Sequence, residues 1–485
     1  MIEGRWIIIS MAVVYLVTTT VVGMRSYKYS KTSAGLMQSK GMIGPVVIGF
    51  LMMSEFLGTG TVMGTPQTAF MRGIWAGWSV LTLSLGYLLY AFTMASKYQA
   101  SGEHTITGVL GKMYGRGTQM SCSALMLFIT IAMDVSLYEG SGATIAKVMG
   151  ISIKVGIIIV AVACALVTAT GGLRGAGFSS LIHITMKYMG LILASIMAFV
   201  LMRKAHLSLD MLPAKYWQPE GLGWGTIVAW PLANIGAVFS TQYVIQSISS
   251  LQTPAEARKA SLISSLGIIP VAILTTYIGL CAKVLFPNIS SINALPEFIA
   301  HMSPWLGWII VCCILGSGFV AMLAWALGAS AIIMNDFIIP YAKPTEKQGL
   351  YWARAVSIAI ALIPIPFALY VPELLKVLFL TRAVRLSFAV VAIFGFYAPL
   401  FNSKKGAMWS LILAGAATIS WYFLFNVGPL GGTAVAGVTL KHVDNIYIAG
   451  LVPLLVLVID HFVVKRKDAV ASDVPSKNSA KAPVI

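Results

Sequence analysis

The sequence predicts an all-α integral membrane protein. It has thirteen transmembrane helices, arranged as two five-helix inverted repeats (spans two to six and seven to eleven) plus three extra helices. Three observations carry this. The 485 residues are 58% hydrophobic and only 10% charged, with a mean hydropathy of +0.86, whereas soluble domains carry roughly 25% charged residues. Thirteen apolar runs reach the length of about 20 residues that a span needs: 5–24, 42–70, 74–96, 120–146, 151–170, 178–202, 224–248, 260–284, 305–335, 350–371, 375–401, 407–426 and 445–464. Two of these runs, the second and the seventh, are interrupted by polar and helix-breaking residues.

The second run contains Ser54-Glu-Phe-Leu-Gly-Thr-Gly-Thr-Val-Met-Gly-Thr-Pro66. Irregular backbone at membrane depth survives only where protein or a water-filled cavity satisfies it. A broken helix bearing an ionisable side chain is the usual centre of a transporter binding site. Gly58, Thr59, Gly60 and Thr61 are therefore candidate solute contacts. A glycine-rich helix-packing face is the structural alternative. The seventh run carries Pro231, Asn234, Gly236, Ser240, Thr241 and Gln242. Paired interruptions point to inverted repeats that meet at a central site. Unwinding is expected around Gly58–Gly60 and around Asn234–Gly236, with Asn234 and Gln242 as further solute contacts.

The net charge of +17 would raise nucleic acid as a partner for a soluble chain. Here the basic residues flank apolar runs and serve topology, so the partners are the lipid bilayer and a small solute. The larger share of loop Lys and Arg falls on one side, including Arg25, Lys28, Arg116, Arg258, Lys404 and Lys465-Arg-Lys467. By the positive-inside rule the C-terminus is cytoplasmic and the N-terminus outside, in a plasma membrane, or the inner membrane of a bacterium. The other side holds fewer, among them Arg72, Lys215 and Lys283. The first run has no small-residue cleavage site after it and reads as a span. Residues 1–467 form a single transmembrane domain, and the polar tail 468–485 reads as disordered. Cys122, Cys164, Cys281, Cys312 and Cys313 fit no zinc or disulfide spacing. No His-Glu-x-x-His or Gly-x-Ser-x-Gly motif supports an enzyme, and no cofactor is expected beyond a coupling ion.

Four stretches resemble the sodium:solute symporter family, which has the leucine-transporter-like fold. They are Phe56-Leu-Gly-Thr-Gly-Thr-Val-Met-Gly64, Gly171-Gly-Leu-Arg-Gly-Ala-Gly-Phe-Ser-Ser180, Gln242-Tyr-Val-Ile-Gln246 with Pro254-Ala-Glu-Ala-Arg-Lys259, and Ala331-Ile-Ile-Met-Asn-Asp336. The second is similar to the family's turn into its fifth core helix. The resemblance implies cation-driven solute uptake by alternating access. It places a sodium site on the carbonyls of Ser54 and Leu57 and on Ser317, Val320 and Ala321. Two of those positions lack the family's hydroxyls, and Ser179-Ser180 stands where the family often has Thr-Asp. A hard cation needs a shell of oxygens, so this is a weak sodium site.

A charge at the bilayer centre costs at least about 2.5–3.5 kcal/mol, so each one needs a reason. Glu55 is either a proton-binding or cation-coordinating carboxylate, or a protonated group bonded to helix backbone. Lys187 shares one helical face with Ser180 and His183. Proton-coupled relatives of the fold place a lysine here, so by resemblance Lys187 replaces the ion; the alternative is a structural lysine on a neighbouring carbonyl. Asp134 is a candidate for solute binding or for pairing. Arg382 and Arg385 lie at i and i+3. Two-point guanidinium geometry suits a carboxylate, which makes an anionic solute a candidate. The alternatives are interface snorkelling for Arg382 and a salt bridge to Asp134 or Glu139 for Arg385. Coupling to a proton and coupling to sodium both remain open. A membrane-embedded solute sensor is the second reading of function. The sequence names neither the substrate nor the oligomeric state.

Overall fold

The computed structural model describes residues 4–25, 44–369, 374–401, 403–435, 438–440 and 443–463. Calls on the 468–485 tail, and on the side chains of 166–180 and Val320, lie outside the described residues. The helices that build the core include α1 (Arg5–Arg25), α2 (Pro45–Phe56), α3 (Thr59–Val62), α4 (Gly64–Arg72), α5 (Trp78–Thr93), α6 (Ala95–Ser101), α7 (Ile106–Tyr114), α8 (Arg116–Met149) and α9 (Ile153–Lys204). They continue with α10 (Trp224–Ser240), α11 (Gln242–Ser249), α12 (Pro254–Leu285), α13 (Pro304–Ile332), α14 (Glu346–Leu362), α15 (Leu374–Tyr397), α16 (Lys404–Trp421) and α17 (Asn445–Val463). A two-residue hairpin, Ala434–Val435 with Val438–Thr439, is the only strand pair among the described residues.

Every apolar run contains a helix. Among the described residues nine helices are long and apolar enough to cross a membrane, or ten if the bent pair Pro45–Phe56 and Thr59–Arg72 is one span. The fifth and sixth runs fall in one helical element, α9, which is not a straight rod: Ile157 packs on Gly142 of α8 while Gly190 packs on Cys313 of α13. The expected turn at 171–180 falls on residues outside those whose side chains are described.

The helices close around one contiguous apolar cluster that runs from Ile8 to Leu457. Its inward faces are almost devoid of solvent. The outward faces of α5, α9, α12, α16 and α17 expose large aliphatic and aromatic side chains such as Leu85, Phe199, Ile273, Leu413 and Leu455, as surfaces solvated by lipid must. The broken pair α2–α3 crosses the middle of this body, with α8, α13 and α15 against it.

Candidate solute and cation site

The break at the centre comes from local chemistry. Leu57 leaves helical geometry and Gly58 is extended (φ −69°, ψ 179°), so the helix axis bends by 65° before α3 begins. The Phe56 carbonyl left without a helical donor accepts from the Thr61 hydroxyl at 2.7 Å. Thr59 ties α3 to α8 by donating to the Leu137 carbonyl at 3.1 Å. A Cβ on Gly58 would stand 2.7 Å from Leu137 Cδ2 and 3.3 Å from the Ala321 methyl. Glycine is thus what lets the unwound segment sit between α8 and α13.

The second interruption lies at Thr241 and not at Asn234–Gly236. Helix α10 is continuous through those residues, Thr241 is extended (φ −68°, ψ 123°), and α11 restarts at Gln242. Pro231 and Gly236 are accommodated inside α10. Gly236 serves close packing: a Cβ there would meet Leu386 Cα at 2.7 Å.

Glu55 and two arginines converge where the breaks meet. Glu55 is 2% exposed; neither of its oxygens has a hydrogen-bond partner, and Oε1 stands 4.0 Å from Arg385 Nη1. Arg385 is held in place by Nη1 donating to the Thr241 hydroxyl at 2.7 Å and Nε donating to the Thr381 carbonyl at 3.3 Å. Its guanidinium lies over Phe56 and Trp325, 5.5 and 5.1 Å from the ring centres. Arg382 donates to Asn234 Oδ1 at 2.7 Å and lies over Phe379 at 4.9 Å. Asn234 is oriented in turn by α5, donating to the Ser79 carbonyl at 2.9 Å and the Thr82 hydroxyl at 2.6 Å. Arg382 Nε and Nη2 and Arg385 Nη2 remain without acceptors. The space between these groups, also edged by Gly58, Gly60 and Thr61, holds only about 10 Å³. Ligand pockets run to roughly 300–1,000 Å³, so the site is closed. Buried aromatic faces stabilise the two cations, but one carboxylate faces two guanidiniums. The unfilled donors suit an acceptor-only, planar group such as a carboxylate.

Lys187, fully buried on α9, donates from Nζ to both the carbonyl (3.0 Å) and the hydroxyl (2.8 Å) of Ser54. One turn away on the same helix, His183 is hydrogen-bonded through Nδ1 to the Tyr15 hydroxyl of α1. Across from Lys187, Cys313 and Ser317 lie on α13. The Ser317 hydroxyl donates to the Cys313 carbonyl at 2.6 Å, and Ala321 offers no side-chain oxygen. Of the expected sodium ligands, Ser54 accepts from an ammonium and the Ser317 hydroxyl donates to its own helix.

Other expected residues fall outside this cluster. Gln242 spends its amide on the start of α7, accepting from the Ile106 N–H at 2.9 Å and donating to the His104 carbonyl at 3.2 Å. Asp134 is 1% exposed with neither oxygen hydrogen-bonded; its neighbours Met133 and Leu137 line the central space and Asp134 does not. Arg385 approaches Glu55, not Asp134 or Glu139. Arg382 is 1% exposed, which excludes interface snorkelling; its spacing of three from Arg385 was the sequence signal. Trp325 and Phe56, which cradle the guanidiniums, sit in apolar runs that give no such signal.

The model of the sodium:solute symporter family matches residues 37–414. The chain belongs to the sodium:solute symporter family. Among curated proteins, this member of the family is 23% identical to an uncharacterised symporter, YwcA, of Bacillus subtilis (strain 168) over 467 residues, 88% of each chain. It is 25% identical to the high affinity choline transporter 1 of Homo sapiens over 253 residues, 49% of this chain and 42% of that protein. The match thus spans less than half of the choline transporter. The fold is that of a Na+-coupled sialic acid symporter in a substrate-bound outward-open state, with TM-score 0.77, 15% identity and coverage of 94% and 97%. A nucleobase-cation-symport-1 family transporter in a closed conformation is also similar, with TM-score 0.57, 14% identity and coverage of 89% and 96%.

Proposed function

We propose that this symporter carries a small carboxylate-bearing solute, coupled to a proton, with Lys187 standing where a sodium ion would otherwise bind. The carrying observation is the two hydrogen bonds from Lys187 Nζ to Ser54. An ammonium on the Ser54 carbonyl repels a metal cation. A lysine can also gain and lose a proton as the site opens to one side and then the other. Glu55, without a hydrogen-bond partner of its own, is the second proton-carrying group. Arg385 and Arg382 bind the solute carboxylate, while Thr59, Thr61 and the Gly58 and Gly60 backbone shape the space. Two guanidiniums already occupy the aromatic faces that a quaternary ammonium solute would need, which argues against a cationic substrate.

In the same reading the paired breaks at Leu57–Gly58 and Thr241 mark corresponding helices of two inverted repeats. The N-terminus lies outside and the C-terminus inside a plasma membrane, with one transmembrane domain through residue 467. The relatives are transporters and give the sensor reading no support. The test is solute uptake into proteoliposomes, first under a sodium gradient at equal pH, then under a pH gradient without sodium. Uptake is expected only in the second case, and it is expected to vanish in Lys187→Ala and Glu55→Gln. Stimulation by sodium alone that survives in Lys187→Ala would overturn the proposal.

A further inference from the structure

Apart from the central site, the structure has a large groove on the membrane-facing side of α5 and α12. It encloses about 700 Å³ and is lined by Trp75, Trp78, Leu81, Ile273, Tyr277 and, as a roof, Trp217. The roof is part of the segment between α9 and α10, and it is firmly built. Tyr216 donates to the Phe70 carbonyl at 2.9 Å, and Trp75 donates to the Trp217 carbonyl at 3.2 Å. Gly73, in the left-handed region (φ +95°), lets Tyr216 approach; a Cβ there would lie 2.1 Å from the Tyr216 carbonyl oxygen. The Trp78 indole on the groove wall donates to the Ile227 carbonyl at 2.9 Å and the Thr276 hydroxyl to the Ala272 carbonyl at 2.7 Å. The wall is otherwise largely aliphatic and aromatic, which suits hydrocarbon.

One end of the groove is basic. A Cβ on Gly221 would lie 2.4 Å from the Lys215 carbonyl oxygen and 2.6 Å from that of Arg72, so these two residues meet there. Lys283 Nζ stands 4.7 Å from the ring centre of Phe70, whose carbonyl holds Tyr216. Arg72 and Lys215 are exposed and Lys283 is half-buried. Two carboxylates lie in the roof segment, and each already has a donor. Asp210 accepts from the Ser208 hydroxyl at 2.9 Å and Glu220 from the Trp224 indole at 3.3 Å. Tryptophan and tyrosine gather at membrane–water interfaces, and basic residues beside an intramembrane groove attract anionic headgroups.

We propose that this groove is a site for an anionic phospholipid, with one acyl chain under Trp217 and the headgroup phosphate on Arg72, Lys215 and Lys283. It also accounts for three of the basic residues that the positive-inside pattern leaves on the outer side. Each basic side chain near a headgroup favours an anionic lipid by about fivefold, the equivalent of ~1 kcal/mol.

The test uses the full chain in vesicles of equal parts phosphatidylglycerol and phosphatidylcholine, with acyl-chain bromine on one lipid or on the other. Surface charge is then constant, and the part of the tryptophan quenching that is lost in Trp75→Phe/Trp78→Phe reports which lipid lies against those two rings. Stronger quenching by brominated phosphatidylglycerol is expected. The difference is expected to disappear in Arg72→Gln/Lys215→Gln/Lys283→Gln and to shrink in Trp217→Ala, with the melting temperature checking that each variant is folded. Equal quenching by the two lipids, or a preference that survives both folded variants, would overturn the assignment.

Discussion

At Lys187, Glu55 and Arg385 the functional reading depends on single atoms. Lys187 has a place only because Ser54 sits at the end of α2, where the helix stops and its carbonyl is free to accept from the ammonium at 3.0 Å. Lys187→Arg keeps the charge but replaces a compact ammonium with a planar fork, so pH-driven uptake is expected to fall steeply while solute binding persists. Paired transport and equilibrium-binding assays check this. Arg385 is the other anchor. A charge-assisted hydrogen bond is worth roughly 1.5–3 kcal/mol. Arg385→Gln is therefore expected to weaken a carboxylate solute about tenfold or more, and its amide analogue much less. Equal loss for the two ligands, measured by competition, would assign Arg385 to folding alone. The Tyr15–His183 hydrogen bond ties α1 to α9 one turn from Lys187. Tyr15→Phe removes the hydroxyl on His183 Nδ1 and is expected to shift the pH profile of uptake without abolishing binding, an outcome that loss of packing alone would not produce.

Among the elements, the two broken helices differ in how they are made. The first break is stabilised from within, since Thr61 caps the Phe56 carbonyl at 2.7 Å. Thr61→Val leaves that buried acceptor unpaired, a cost of about 1–3 kcal/mol that should appear as a lower melting temperature and not only as altered transport. The second break is stabilised from outside: Thr241 accepts from Arg385 on α15, and Ser240 donates to the Arg385 carbonyl at 2.7 Å. The break of one helix is thus joined to Arg385 of another. This is why the break falls at Thr241, several residues beyond the glycine and asparagine that drew attention in the sequence. Gly236 marks a helix crossing instead, and Gly236→Ala, forced against the Leu386 backbone, is expected to destabilise the protein by roughly 1–3 kcal/mol as overpacking does.

On the scale of the whole molecule, the central space of about 10 Å³ is too small for any organic solute, so entry of a solute requires the helices around it to move apart. The five cysteines are buried thiols outside any disulfide, and thiols in apolar surroundings are inert. They provide a silent background for a probe. Leu378 borders the central space and is 3% exposed. A membrane-impermeant maleimide is expected to label Leu378→Cys in the transporting protein, to be blocked by saturating solute, and to leave the parent protein unlabelled. Labelling unaffected by solute would separate this space from the solute path.

The amino-acid sequence by itself determined the membrane class, the order of the apolar segments, the family, and the importance of Ser54–Pro66, because these depend on composition, run length and residue types that disrupt a helix locally. It also exposed Glu55, Lys187 and Arg385 through the cost of placing a charge in hydrocarbon. The tertiary structure decided their partners. Lys187 reaches Ser54 across 133 positions in the chain, and Arg385 is bound to Thr241 across 144; no local pattern encodes such pairings. Tertiary packing also set Gln242 against the start of α7 and turned Asp134 away from the central space.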